Sequence, residues 1–421
     1  MRAAENVAGW WRGSVPARSP GLRRITLSTL LSGTADQFAL IALIWLVFEI
    51  TGSPSAMGLL VLCNRLPAVI SAPLCGPRLD RGDPVRLVLY SYVIRAVCLV
   101  AFPVLFVAGL LSLPGILVLA TVMGAAYPLA DVGGRMLIPR VVDESDLPSA
   151  NGLMSMGDQF PYLIGPALGG VFVALAGPSA LLLSAGMCLL AMLLMRGLRA
   201  DAPATYGEGE AASAAPAGWF GFRPLLSDPA VRALVLLTFV YFLAYGPLEP
   251  ALPLYSRDVL AAGAAGYGLL WSAIGAGALV GLVTVPFLAR RRPGVVNAFG
   301  AILWGVLLFP LVLVDSLPPA MLILFVAGFV WAPYVATEVS VVQRRVPRSQ
   351  HGAVFGARKA LLVIASPSGA AFGGLLLEGM PATSVIVLSS VTCVLAGVAC
   401  LALPSVRAVL PPPARQQTSD A

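Results

Sequence analysis

Gly76-Pro77-Arg78-Leu79-Asp80-Arg81-Gly82-Asp83-Pro84-Val85-Arg86 is a polar connection in a chain with little polarity elsewhere. Five of these eleven residues are charged, against 11% of the 421-residue sequence, of which 58% is hydrophobic. A soluble domain carries about 25% charged residues, and one with this apolar share would expose large sticky patches to water. The connection is flanked by apolar runs at 56–77 and 86–109, each as long as the roughly 20 residues a spanning helix needs. Working outward, twelve such runs appear: 24–48, 56–77, 86–109, 114–138, 150–176 and 179–197, then 230–256, 265–289, 295–315, 318–342, 352–377 and 382–404. The expected fold is all-α and integral to a membrane, with two six-helix bundles. Its expected parts are an N-terminal arm at 1–23, a bundle at 24–198, a polar Ala/Gly/Pro linker at 199–228, a second bundle at 229–405 and a tail at 406–421.

The basic residues fall on alternate connections. The arm holds Arg2, Arg12, Arg18, Arg23 and Arg24, and the quoted connection adds Arg78, Arg81 and Arg86. Further sets are Arg135 and Arg140, then Arg196, Arg199, Arg223 and Arg232, then Arg290 to Arg292. The last are Arg344, Arg345, Arg348, Arg358 and Lys359, followed by Arg407 and Arg415. Together these are 24 of the 27 basic residues. The intervening connections share only Arg257, and Arg65 and Arg95 lie within spans. Positive residues stay on the cytoplasmic side, so both termini are expected there; the single lysine, Lys359, among 27 basic residues suggests a GC-rich bacterial coding bias, and hence a bacterial plasma membrane. No basic run is interleaved with aromatics, which argues against nucleic acid as a partner.

The two halves repeat. Gly165-Pro166-Ala167-Leu168-Gly169-Gly170 has a counterpart 204 residues on in Gly369-Ala370-Ala371-Phe372-Gly373-Gly374, and Gly58-Leu59-Leu60 recurs 210 residues on as Gly268-Leu269-Leu270. Pro128 near the end of the fourth span matches Pro333 in the tenth. Parallel repeats of six helices are a transporter plan in which substrate binds between the halves near mid-depth.

The quoted connection, through Gly76, Asp80 and Arg81, resembles the signature between the second and third helices of the major facilitator superfamily. Asp83 stands where that signature has its second glycine, and Pro84 and Val85 where it has basic residues. The fifth span, with Gly152, Pro161 and Gly165 to Gly170, resembles the antiporter motif of the exporters in that superfamily. Gly33-Thr34-Ala35-Asp36, Ile44-Trp45-Leu46, Thr51-Gly52-Ser53, Leu147-Pro148-Ser149-Ala150-Asn151 and Gln343-Arg344-Arg345-Val346-Pro347 are similar to its macrolide and siderophore exporter branch. The resemblance implies that Asp80 docks at the start of the eleventh helix, where the dipole favours an anion. It also implies that Arg81 meets an acid on the fourth helix, for which Asp131 is placed. Gly165, Pro166, Gly169 and Gly170 would form part of the same conformational switch. Physically, the glycines permit close helix approach and the prolines remove backbone donors.

Charge inside a span is costly, about 2.5–3.5 kcal/mol per residue on insertion scales, so each such residue needs a cavity or a partner. Asp36, Arg65, Arg95 and Asp158 lie at roughly 18, 16, 13 and 12 Å from the cytoplasmic ends of their spans at 1.5 Å per residue. They are the expected proton-coupling or substrate cavity, with Arg65 and Arg95 as partners of the acids. Glu338 joins the candidates; it and Asp131 fall nearer the cytoplasmic surface and Glu249 nearer the outer one. Tyr241, Tyr245, Trp271, Trp304 and Trp331 could wall a chamber, and Gly246-Pro247, Pro250 and Pro253 suggest a bent seventh helix.

These residues point to export of a drug-like or secondary-metabolite small molecule in exchange for protons. Substrate, protons and membrane lipid are then the partners, and the chain acts as a monomer by resemblance. No cofactor is expected, since no Walker loop is present to cradle ATP. Metal or nucleophilic chemistry is disfavoured by a single histidine, His351, and six cysteines without a CxxC pair, so the chain is not expected to be an enzyme. An importer or uniporter of a small solute is the alternative.

Overall fold

Five of the spans start at a serine or aspartate with proline in the next one or two positions. Ser19, Ser53, Asp83, Ser112 and Asp228 stand in extended backbone, and their side-chain oxygens accept from the N–H of Leu22, Ala56, Val85, Gly115, and Ala230 with Val231. Such a cap satisfies a donor that the first helical turn leaves orphaned, and proline in that turn has no donor to orphan.

The computed structural model describes residues 19–72, 83–157, 160–198, 222–288, 290–347 and 350–410. The first half contains α1 (Pro20–Thr51), α2 (Pro54–Arg65, continuing in helix to Ala72), α3 (Pro84–Val107), α4 (Leu113–Leu137), α5 (Phe160–Ala176) and α6 (Leu181–Arg196). The second contains α7 (Pro229–Tyr245), α8 (Gly263–Gly281), α9 (Pro293–Leu308), α10 (Leu317–Arg345), α11 (His351–Leu376) and α12 (Ala382–Ala402). Eleven helical stretches of the described residues are long and apolar enough to cross a bilayer. One of them, Phe160–Arg196, has 37 residues. That is about 56 Å of helix against ~30 Å of hydrocarbon. It divides at the turn Gly177–Ala180, where Gly177 takes φ +52°, and so supplies two crossings and brings the total to twelve. Within the stretch expected as linker, Phe222–Ser227 is a short helix.

The packing repeats with the sequence. In the first half α1 lies on α5 and α6, α3 on α4 and α6, and α2 on α4; in the second, α7 lies on α11 and α12, α9 on α10 and α12, and α8 on α10. The halves meet along two seams, α2 on α11 and α5 on α8, each the image of the other under exchange of halves. Glycine makes both seams possible. A Cβ on Gly58 would collide with the Ala370 carbonyl oxygen, and a Cβ on Gly268 with that of Pro166. These are equivalent positions in the repeat. A Cβ on Gly374 would sit 2.6 Å from Pro54 O, and Gly170 stands in the same relation to Ala264 O. The internal repeat is therefore visible down to backbone contacts.

Both seams lie toward the arginine-poor end. Every residue of α1 from Phe38 to Phe48 is buried there, whereas no described residue of α2 beyond Val61 is. The halves close at the arginine-poor end and part toward the other. At the closed end Glu378, between α11 and α12, reaches across to the start of α2. Ser53 Oγ donates to Glu378 Oε1 at 2.8 Å and the Ser55 N–H at 3.1 Å. Hydrogen bonds from Ser53 and Ser55 hold this carboxyl below its ordinary range. A depressed pKa contributes stability above the free-group value and loses it as pH falls through the bound value. Glu378→Ala is thus expected to lower the melting temperature of the detergent-solubilised protein at pH 6. The difference from the wild type should start to shrink as pH falls below about 4 and close only below the depressed value, as a pH series of melting curves will reveal.

Candidate functional site

The ends of the connection quoted first bear on the site only through the sequence: Gly76, Asp80 and Arg81 lie outside the described residues, as does Asp158. The remaining candidates fall into three groups.

In the first half, Arg95 on α3 is 1% exposed. Its Nη2 donates to Ser32 O at 3.0 Å and to Asp36 Oδ1 on α1. The rings of Tyr92 and Tyr127 each lie 6.0 Å from the guanidinium, close enough for cation–π attraction. The surrounding helices are pinned by hydroxyls: Ser91 Oγ donates to Ala126 O at 2.7 Å, joining α3 to α4, and Ser184 Oγ to Ala35 O at 2.7 Å, joining α6 to α1. Asp36 Oδ2 is buried and, among the described residues, has no hydrogen-bond partner. The expected pairing of Asp36 with one of the two span arginines holds for Arg95.

Arg65 goes elsewhere. Its Nη2 lies 3.8 Å from Glu249 Oε1, so this pair joins the two halves. Gly124 lets the α2 backbone at Asn64 rest directly on α4, which places Arg65 at the cleft's closed end. Glu249 is 3% exposed. It follows a break in the seventh helix at Gly246-Pro247, after which helix resumes at Leu248–Asp258. The helix is interrupted where the prolines suggested a bend, with Gly246 and Pro247 both keeping right-handed helical dihedrals, and Gly246 lets α7 touch the Ser366 carbonyl of α11. Ser366 Oγ donates to Glu249 Oε1 at 3.4 Å. Glu249 was legible only as an acid near the outer surface; the signal for its role was its setting in an apolar run beside a glycine–proline break.

In the second half Glu338 on α10 is fully buried and accepts two hydrogen bonds from Arg358 on α11, Nε to Oε1 at 2.8 Å and Nη2 to Oε2 at 2.5 Å. By position in the sequence Arg358 counts among the cytoplasmic cations, yet it is seven residues inside α11. Breaking a buried pair strands a charge, at about 3–5 kcal/mol. Glu338→Gln is therefore expected to lower the melting temperature sharply, and Glu338→Leu with Arg358→Met to recover most of the loss. Nearby, Asn297 Nδ2 donates to Tyr334 O at 3.0 Å, and Thr337 Oγ1 to Asn297 Oδ1 at 2.6 Å. Aromatic rings run from this network toward Glu249: Tyr241 stacks on Tyr334 at 5.0 Å, Tyr245 meets Trp304 at 6.0 Å and Trp271 at 5.6 Å.

Asp131 lies 3.7 Å from Arg135, one turn away on its own helix. The glycines of α5 serve two neighbours. A Cβ on Gly165 would sit 2.6 Å from Gln37 Cβ, and one on Gly169 2.6 Å from Phe38 O, so both press on α1 beside Asp36. Pro166 and Gly170 lie on the α8 seam. One short motif thus touches both the buried acid and the contact between halves.

Comparison with known proteins agrees with this architecture. The chain is 25% identical over 394 residues to the multidrug efflux pump Tap of Mycolicibacterium fortuitum, covering 91% of this chain and 95% of that protein. It is 25% identical over 399 residues to the uncharacterized MFS-type transporter y4rN of Sinorhizobium fredii, covering 92% and 96%. Among solved structures, a bacterial homologue of the human lysosomal transporter Spinster superposes with a TM-score of 0.71 at 16% identity, over 94% of this chain and 98% of that one. The nucleoside transporter NupG does so at 0.69 and 14%, over 90% and 98%. The family model described as Major Facilitator Superfamily matches residues 25–370. The chain is a multi-pass transporter belonging to the Major Facilitator Superfamily.

Proposed function

We propose that the protein exports a drug-like or secondary-metabolite small molecule across a bacterial plasma membrane by proton antiport, working as a monomer. The observation that carries the coupling is Asp36, a carboxylate inside the membrane with one oxygen on Arg95 and the other buried without a partner among the described residues. An acid so placed can hold a proton in one state and release it in another. The likeness to Tap supports the export of drug-like molecules. The distribution of basic residues supports a cytoplasmic position for both termini; in this reading the cleft opens inward and loads substrate from that side. Asp131, Gly76, Asp80 and Arg81 act in this reading as a cytoplasmic latch between helices, with the α5 glycines as the sliding surface.

The test is export from a drug-hypersensitive bacterial strain across an antibiotic panel, with and without a protonophore. Raised resistance that the protonophore abolishes supports the reading. Uptake that collapses without a pH gradient replaces it by import.

A further inference from the structure

Arg65 touches an acid of the other half, and the helix packed beside its own carries a second acid. Glu249 belongs to the second half, and its 3.8 Å contact with Arg65 spans the two halves. Asp36 belongs to the same half as Arg65, on α1, the helix that packs against α2. Neither acid is saturated. Glu249 Oε2, Asp36 Oδ2 and Arg65 Nε are all buried without a hydrogen-bond partner among the described residues. When the closed end opens, Arg65 leaves Glu249. A guanidinium stripped of its counter-charge inside the membrane is costly, and Asp36 is the carboxylate that travels with it.

We propose that Arg65 is a shared cation, handed from Glu249 to Asp36 as the closed end opens, and that Asp36 must be ionised to receive it. The inference rests on the proton-antiport reading and supplies its linkage. With Asp36 protonated, Glu249 alone holds Arg65 and the end stays shut. With Asp36 ionised, the two acids compete and opening costs less. A proton bound from the arginine-poor side therefore reseals that side, and its loss to the opposite side readies the next opening. This is the order that exchange requires.

The other groups facing these side chains do not supply the switch. Asp36 also faces Arg95 from α3, Asp131 from α4 and the Cys188 thiol from α6. Arg95 is fixed to the same half and stays paired in either state. The groups around Arg65 and Glu249, apart from Ser366, are tyrosines of α4, α5, α7 and α8, phenols that ordinarily titrate near 10.

Spin labels at Ile50→Cys and Met380→Cys, both exposed at the closed end and in opposite halves, report its width in the full-length protein in nanodiscs, on a background with the native cysteines replaced. In the wild type the ratio of open to closed should rise with pH, by up to about tenfold per unit across the titration of one group. Asp36→Asn should stay closed at every pH. Glu249→Gln should open further and lose the pH response, because Arg65 then pairs with Asp36 in both states. Arg65→Lys, which keeps the charge, should retain the response, and Arg65→Gln should not; the lysine variant guards against mere misfolding. A Glu249→Gln protein that responds to pH like the wild type overturns the relay while leaving proton antiport standing. A wild-type distance that ignores pH also overturns the relay, and export that survives a protonophore brings down the antiport reading with it.

Discussion

Replacing Asp36 by asparagine should abolish substrate-induced proton movement in proteoliposomes, a loss of at least about tenfold, to the level of empty vesicles, since in the proposed mechanism Asp36 is the group that carries the exchanged proton. Asparagine keeps an oxygen for Arg95 and nearly the same volume but cannot exchange a proton. Arg95 retains the Ser32 carbonyl and its two tyrosine rings, so the variant should still fold, at a lower melting temperature. Circular dichroism and gel filtration of the purified variant check that part. Proton movement equal to the wild type would remove Asp36 from the mechanism.

The second large effect concerns the seams. Gly58→Val and Gly268→Val each push a branched side chain into a neighbouring backbone carbonyl. Backbone cannot change rotamer to make room. Overpacking costs about 1–3 kcal/mol per site, which shifts a two-state ratio by roughly 5- to 150-fold. Both variants should hold the arginine-poor end apart and lose export. Gly186→Val, where the added side chain meets nothing within 4 Å, should behave as the wild type. The spin-label distance across the closed end, measured in all three, decides the matter. An unaltered distance in the first two would mean that the seams open and close by some other contact.

The spans, the repeat and the family were legible because lipid imposes a one-dimensional rule: twenty apolar residues per crossing, with arginines kept to one side. Side-chain pairing obeys no such rule. Depth counted along each helix put Arg65 level with Asp36, and their helices do pack together, yet the acid that Arg65 contacts is 184 positions away on the other half. What brings Glu249 there is the break at Gly246-Pro247 and the glycine contact with α11, both consequences of packing. Arg358 was misleading for a related reason. It follows a polar connection rich in arginine, and only the neighbouring α10 reveals that its guanidinium belongs to Glu338 rather than to the cytoplasmic charge.

The pairing of glycine with main-chain oxygen at both seams has a mechanical corollary. Repulsion between two peptide backbones rises within a few tenths of an ångström, and neither surface can flex aside. The molecule therefore has a hard stop: it shuts to one depth, whatever cargo has just left. In the proposed export, any tolerance for molecules of different girth would reside where the walls are aromatic rings with torsional freedom, and a test of it should begin at Tyr245 and Trp271, not at the stop.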